Sequence, residues 1–403
     1  MKLEDIDLTD RDQYVEGVPF DKFDLMRREA PIFWHARDLE DGPGFWALTR
    51  YAEVVEVNRD AERFSSNRRT ALINELPPDH LEQQRMLMLN MDPPMHTRYR
   101  LLVNKGFTPR MVSKLEEGLR DRTRKIIQDC ADAGEADFVT DIAAELPLQA
   151  IADIMGVPQE DRHKVFDWSN RMVGAEDPEY QSSEELAGEA AAELYAYANG
   201  LASEKRAHPS DDIITVLLDA EVEGDRLNEL EFDLFFLLLS VAGNETTRNN
   251  IAHGMLAFFE HPDQWARLRD DRSLIGSAVD EVLRWGSPVM HFRRTATRDT
   301  DLSGQPIKEN DKIVVWYIAA NRDPVQFPDP YNFDIGRTPN EHVAFGGGGP
   351  HFCLGSNLAR LEIKMLFEEL LDVAPNIEQR GEPARLRSNF INGIKHLPVG
   401  FPS

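Results

Sequence analysis

Apolar residues along this chain recur mostly every three or four positions, the spacing that aligns one face of an α-helix. The pattern is clearest in "FTPRMVSKLEEGLRDRTRKIIQDCADAG", residues 107–134, where Leu115, Leu119, Ile126 and Cys130 share a face. Thr108 can cap this helix, Pro109 suits its first turn, and Gly134 closes its end. The same periodicity predicts helices across 142–155, 184–206, 227–260, 274–285 and 356–373. Strand-like stretches are short: "GFWALT" at 44–49, "KIVVWYI" at 312–318 and the tail "FINGIKHLPVGF" at 390–401. The segment "DLSGQPIKENDKIVVW" reads as a hairpin with turns at Ser303-Gly304 and Asn310-Asp311. No regular strand–helix alternation points to a parallel doubly wound sheet. The expected fold is mainly α with small β ribbons. A single domain over 1–403 is expected, with its helical core in 95–375 and its β-rich parts in the first 60 residues and in hairpins of 295–400.

Composition changes this picture little, but charge narrows the partners. Apolar residues make up 41% of the 403 positions, enough for a sizeable core. Lys and Arg number 45 against 71 Asp and Glu, a formal charge of −26. So acidic a chain disfavours nucleic acid or an anionic membrane as its main partner. The start "MKLEDIDLTDRDQYVEG" lacks the basic flank and apolar stretch of a signal peptide. The apolar run "FDLFFLLLSVAG" falls short of the roughly 20 residues that span a bilayer. With only two cysteines there is no disulfide framework, so a cytoplasmic protein without a membrane anchor is expected. Cys130 falls on the apolar face of its helix and reads as core.

Cys353 needs another explanation, because "HVAFGGGGPHFCLGSNLARLEI" presents it on a loop nearly devoid of side chains. Zinc would want further Cys or His ligands at fixed spacing, and only His351 is near. An iron–sulfur cluster wants about four thiolates. A dinucleotide fingerprint cannot be threaded through Gly346–Gly349. The reading that needs a single thiolate is an axial ligand to haem iron. Glycines let the backbone pass close beneath a flat macrocycle, and the helix predicted from Ser356 turns its positive end toward the sulfur.

On "FGGGGPHFCLG" and on the segments below, the chain resembles a soluble bacterial cytochrome P-450 over essentially its whole length. The resemblance assigns Cys353 to the haem iron and places Phe345, Gly346, His351 and Gly355 around it. Phe345 stands eight residues before Cys353, where the usual spacing in that family is seven. In "SVAGNETTRNN" it implies a helix crossing the haem, with Ala242 and Gly243 making room for dioxygen and with Thr246 and Glu245 as the alcohol and acid of a proton relay. In "DEVLRWGSPV" and "FPDPYNFDIGR" it implies a structural cluster of Glu281, Arg284 and Arg337. In "NMDPPMHTRYR" and "HFRRTATRD" it makes His96, Arg100 and Arg294, together with His351, partners of the haem propionates.

No flavin, iron–sulfur or nicotinamide motif is present, so the resemblance implies electrons from a ferredoxin and its reductase. Arg98, Lys105, Arg110, Lys114, Arg360 and Lys364 form a candidate basic patch for that partner. An apolar substrate pocket is expected from Leu72, Ile73, Leu87, Met88 and Leu89, from Leu238, Val241 and Ala242, from Val289 and Met290, and from Phe390, Ile391 and Ile394. The phrases "DGPGFWALTRYAEVVEV" and "RLRSNFINGIKHLPV" resemble the group that oxidises terminal methyls. That group holds steroid side-chain 26/27-monooxygenases acting on cholesterol or cholest-4-en-3-one, and methyl-branched lipid ω-hydroxylases. Terpene or fatty-acid hydroxylation, a peroxide-driven peroxygenase and a haem-bound lipid carrier without turnover are the alternatives. The peroxygenase is disfavoured because Glu245-Thr246 is intact.

Overall fold

The computed structural model describes residues 1–39, 42–173, 177, 179, 184–210, 212–221, 224 and 226–402. Its helices, in chain order, are α1 (Phe20–Glu29), α2 (Tyr51–Arg59), α3 (Pro78–Arg85), α4 (Met95–Val103), α5 (Pro109–Ala133), α6 (Glu145–Met155) and α7 (Arg162–Val173). They continue with α8 (Glu184–Ala207), α9 (Ile213–Asp219), α10 (Glu229–Glu260), α11 (Pro262–Asp270), α12 (Ile275–Gly286), α13 (Tyr317–Ala320) and α14 (Ser356–Val373). The mainly helical expectation holds.

Local chemistry sets the ends of the site-bearing helices. Thr108 accepts from the Met111 N–H, and Gly134 takes φ 84° to end α5, as the sequence predicts. Asn228 and Glu231 cap the start of α10 reciprocally, so this helix begins two residues later than predicted. The stretch predicted as one helix from 142 is instead a π-helical turn, Phe138–Ala143, followed by α6.

The largest core lies where α5, α10, α12 and α14 meet, around Leu119, Ile251, Met255, Val282 and Leu366. A five-stranded sheet flanks the helices, in the order β1 (Ile32–Leu39), β2 (Gly42–Leu48), β8 (Lys312–Trp316), β5 (His291–Ala296) and β3 (Phe64–Ser65). Only the β2–β8 pair is parallel. The predicted hairpin forms between β6 (Thr300–Leu302) and β7 (Gln305–Ile307). Ser303 and Gly304 take φ of 49° and 85° there, the double positive φ of a tight hairpin turn. Its continuation, β8, pairs with β5 and β2 instead of with β7. Small ribbons complete the fold: β4 (Glu135–Asp137), β9 (Glu378–Gln379), β10 (Ala384–Arg385), β11 (Ile394–His396) and β12 (Pro398–Gly400).

Candidate active site

A cavity enclosing about 1340 Å³ of empty space, part of it open to solvent, lies between α10 and the loop before α14. Cys353 is on its wall with Phe345, Gly346 and Gly355. The loop keeps its shape through the Cys353 N–H, which donates to the Phe345 carbonyl at 3.0 Å. Gly346, Gly348 and Gly349 take φ between 78° and 94°, where a side chain would be strained. A Cβ on Gly349 would also sit 2.2 Å from the Asn58 carbonyl oxygen. Burial pushes the Cys353 thiol pKa up; the Gly355 N–H donated to its sulfur, with Arg100 and Arg360 nearby, pulls it back. Phe345 is buried on the cavity wall, and the Arg360 guanidinium lies over its ring at 4.7 Å. Cys130 packs against the core on α5, away from the cavity.

One flank of the cavity gathers His96 and Arg100 of α4, Arg294 of β5, and His351. The His96 and His351 rings are 4.2 Å apart. None of the four pairs with a carboxylate of a described residue. Arg100 donates to the Phe352 carbonyl at 2.6 Å, and Arg294 to the Arg293 carbonyl and to Asn58. Asp92 acts on His96 and Arg294 from nearby, but its oxygens are engaged by Ser65 and by the Ser66 N–H. Burial and mutual repulsion hold the His351 pKa well below its ordinary value and that of His96 at about 4; burial lowers both arginines. Buried cations without counter-charge are costly. The arrangement suits a ligand carrying carboxylates, and the apolar walls beside it suit a flat macrocycle.

The opposite wall is α10. Leu238, Ala242, Gly243 and Thr246 line the cavity. The Thr246 hydroxyl donates to the Ala242 carbonyl at 2.7 Å. A Cβ on Gly243 would meet Ile151 Cδ1 at 2.2 Å, so the missing side chain there also lets α6 approach. Glu245 does not line the cavity. It is buried against Arg248, which reaches over the Phe166 ring, and burial raises its pKa. Consecutive helical residues project about 100° apart, which parts Glu245 from Thr246.

The expected pocket residues divide. Met88, Leu89, Leu238, Ala242 and Val289 line the cavity; Leu72, Ile73, Leu87, Val241, Met290, Phe390, Ile391 and Ile394 do not. Ala71 and Ile73 are buried in a bent segment, while Leu72 between them is 41% exposed. Val241 is one helical step off the cavity face of α10. Met290 alternates with Val289 and drops into a separate core with Phe23 and Trp316. Ile391 bridges to the Val289 backbone, and Ile394 joins the main core while donating to Asn249 at 2.9 Å. Phe107, Ile151, Phe235, Leu239, Thr247, Asn250, Phe292 and Tyr317 line the cavity without having been anticipated. For Phe235 and Leu239 the signal was present, since repeated steps of three or four residues back from Thr246, through Ala242 or Gly243, reach both.

Behind the Cys353 loop, Glu281 and Arg284 are fully buried. Arg284 Nε and Nη2 donate to the two Glu281 oxygens at 2.8 and 2.7 Å. Arg337 and Asn340 also reach Glu281, at 3.2 and 3.0 Å, and the Asp334 N–H donates to it at 3.0 Å. Part of the expected surface patch is neutralised: Arg98 pairs with Glu231, Arg360 with Asp280, and Lys364 with Glu368. No helix among the described residues is long and apolar enough to cross a membrane.

Comparison with known proteins matches this architecture. A family model described as Cytochrome P-450 covers residues 45–373. The chain is 46% identical to the steroid C26-monooxygenase of Rhodococcus jostii (strain RHA1), across 99% of this chain and 85% of that protein. It is 43% identical to the methyl-branched lipid omega-hydroxylase of Mycobacterium tuberculosis (strain ATCC 25618 / H37Rv), across 94% and 90%. A solved Mycobacterium marinum cytochrome P-450 in complex with pseudoionone superposes with a TM-score of 0.92 at 40% identity, covering 98% of both chains. The chain therefore belongs to the cytochrome P-450 family, the monooxygenases that carry haem b on a cysteine thiolate and take dioxygen, electrons from a redox partner and a hydrophobic substrate.

Proposed function

We propose that this protein hydroxylates a terminal methyl group of a steroid such as cholest-4-en-3-one or cholesterol, or of a methyl-branched lipid, with electrons from a ferredoxin. The observation that carries the substrate class is the apolar lining that shares the cavity with Thr246, from Leu89, Leu238, Val289 and Phe292. It offers a hydrocarbon no competing polar anchor, and both relatives named above carry terminal-carbon chemistry in their names. Haem b supplies the oxidising chemistry, by which one atom of dioxygen enters the C–H bond and the other leaves as water.

The chain's own residues bind, orient and manage protons. Cys353 would hold the haem iron through its thiolate, with the Gly355 N–H steadying negative charge on sulfur. His96, Arg100, Arg294 and His351 would hold the propionates. The apolar wall keeps bulk water away and admits the end of the substrate, which sets the oxidised carbon by orientation. Thr246 Oγ1 directs its own proton to the Ala242 carbonyl, so its lone pairs face the cavity as acceptors for a water. Glu245 takes part in proton supply only by releasing Arg248. Lys105 and Arg110, exposed and unpaired among the described residues, are the part of the basic patch left to steer an acidic ferredoxin in the cytoplasm.

A Soret titration of the ferric protein tests the substrate class. Cholest-4-en-3-one or a methyl-branched fatty acid should move iron from low to high spin tightly and saturably. A shift with a small monoterpene alone would overturn the assignment.

A further inference from the structure

A second cleft shares a feature with the propionate flank: arginines that border empty space without an ion pair to a described residue. It shares no lining residue with the first cavity and encloses about 650 Å³, part of it open to solvent. The C-terminal half of α10 forms one side with His253, Leu256 and Glu260; Trp285, Arg322 and Arg385 form much of the rest.

Arg322 is 1% exposed. Its terminal nitrogens donate to the Arg284 and Trp285 carbonyls at 3.0 and 2.9 Å, and its guanidinium lies over the Trp285 and Phe20 rings at 4.3 and 5.0 Å. Its buried Nε–H has no acceptor. Arg385 is half-buried in β10, and its guanidinium has no hydrogen bond or ion pair with a described residue. Glu260, the acid on this cleft, is exposed and reaches Arg385 only through its field. His253 donates from Nε2 to the Asn392 carbonyl at 3.0 Å, and burial keeps it neutral, with a pKa of about 3. In that neutral ring Nδ1 is an acceptor and adds no charge. The cleft therefore holds two guanidiniums, and the carboxylates that act on them, Glu260 on Arg385 and Glu281 on Arg322, form an ion pair with neither. Leu256, Ala257 and Val18 give the remaining wall a hydrocarbon surface.

We propose that this cleft binds a small carboxylate carrying a short hydrocarbon body, its head group on Arg385 and the Nε–H of Arg322 and its body along Leu256, Ala257 and Val18. A guanidinium with a free edge takes a carboxylate bidentately, and that geometry is open at Arg385. A bare inorganic anion would leave the hydrocarbon wall wet and gain less.

The test follows the thermal midpoint of the haem-loaded full chain with hexanoate, with hexanol and with inorganic phosphate, while the Soret band reports on the haem cavity. Hexanoate should raise the midpoint saturably without moving the Soret band; hexanol and phosphate should not. Arg385→Gln, at a half-exposed position that folding tolerates, should abolish the rise. Glu260→Gln should lower the hexanoate concentration needed for half the rise, because it removes the competing acid. No rise with hexanoate, or an equal rise in Arg385→Gln, would overturn the site. An equal rise with phosphate would overturn the assigned ligand class.

Discussion

Two buried charge clusters sit on either side of the Cys353 loop, and they are built on opposite rules. Around Glu281, Arg284 and Arg337, every charge meets its opposite, and the leftover guanidinium N–H groups end on the carbonyls of Asn321, Pro328 and Pro330. Around His96, Arg100, Arg294 and His351, two guanidiniums and two imidazoles held neutral line a cavity with no carboxylate paired to them among the described residues. The first cluster is complete in the polypeptide alone and fastens 321–340 under the thiolate loop. The second is complete only when a dianionic ligand arrives. A satisfied buried network marks architecture and an unsatisfied one marks a binding site.

The largest effect should come from breaking the complete cluster. Glu281→Ala strands two buried arginines at a cost of about 3–5 kcal/mol, a large share of the roughly 5–15 kcal/mol that holds a domain. Thermal unfolding of the haem-free and haem-loaded forms should fall together.

Arg294→Gln should separate the two states. Losing a charge-assisted bond to a propionate costs about 1.5–3 kcal/mol, roughly ten- to hundredfold in haem affinity. The haem-free form should hold or gain stability, because one of two buried guanidiniums without an ion pair is gone. Haem transfer to an acceptor protein reads the first effect and denaturant unfolding the second. A parallel fall of both would erase the distinction between the clusters.

Acid should act on the incomplete cluster. The His96 pKa is depressed from 6.5 to about 4, so the unfolded chain binds the extra proton first. Its contribution is present above pH 6.5 and is lost as pH falls from there toward 4. Denaturant titrations of the haem-free protein should show this slope, and His96→Gln should flatten it.

The smallest effect belongs to Asn58. Its Oδ1 accepts from the Tyr317 hydroxyl at 2.9 Å and from Arg294 at 3.4 Å. Asn58→Ala should cost about 1 kcal/mol in either state, measured in the same unfolding series.

Local signals were legible and distant ones were not. The caps of α5, the turn at Ser303-Gly304 and the cysteine loop are written in contiguous residues, and the structure keeps them. Strand β5 was missed because Arg293 and Arg294 interrupt its alternation. Both are buried, Arg293 paired with Glu75 at 2.7 Å and Arg294 turned to the cavity. Ile151 lines the cavity from a helix whose apolar face looks like ordinary core and Phe107 from the bend between α4 and α5, and nothing local tells a residue facing a cavity from one facing a neighbour. Glu245 shows the same limit for polar groups: its place in a motif did not reveal that its carboxylate turns to Arg248.

The most direct measurement is the carbon monoxide difference spectrum of the reduced Cys353→Ser protein, set beside Cys130→Ser. Loss of the thiolate-type Soret band in Cys353→Ser alone, with the band intact in Cys130→Ser, is the predicted result. A thiolate-type band surviving in Cys353→Ser would contradict the account of how this chain holds its haem.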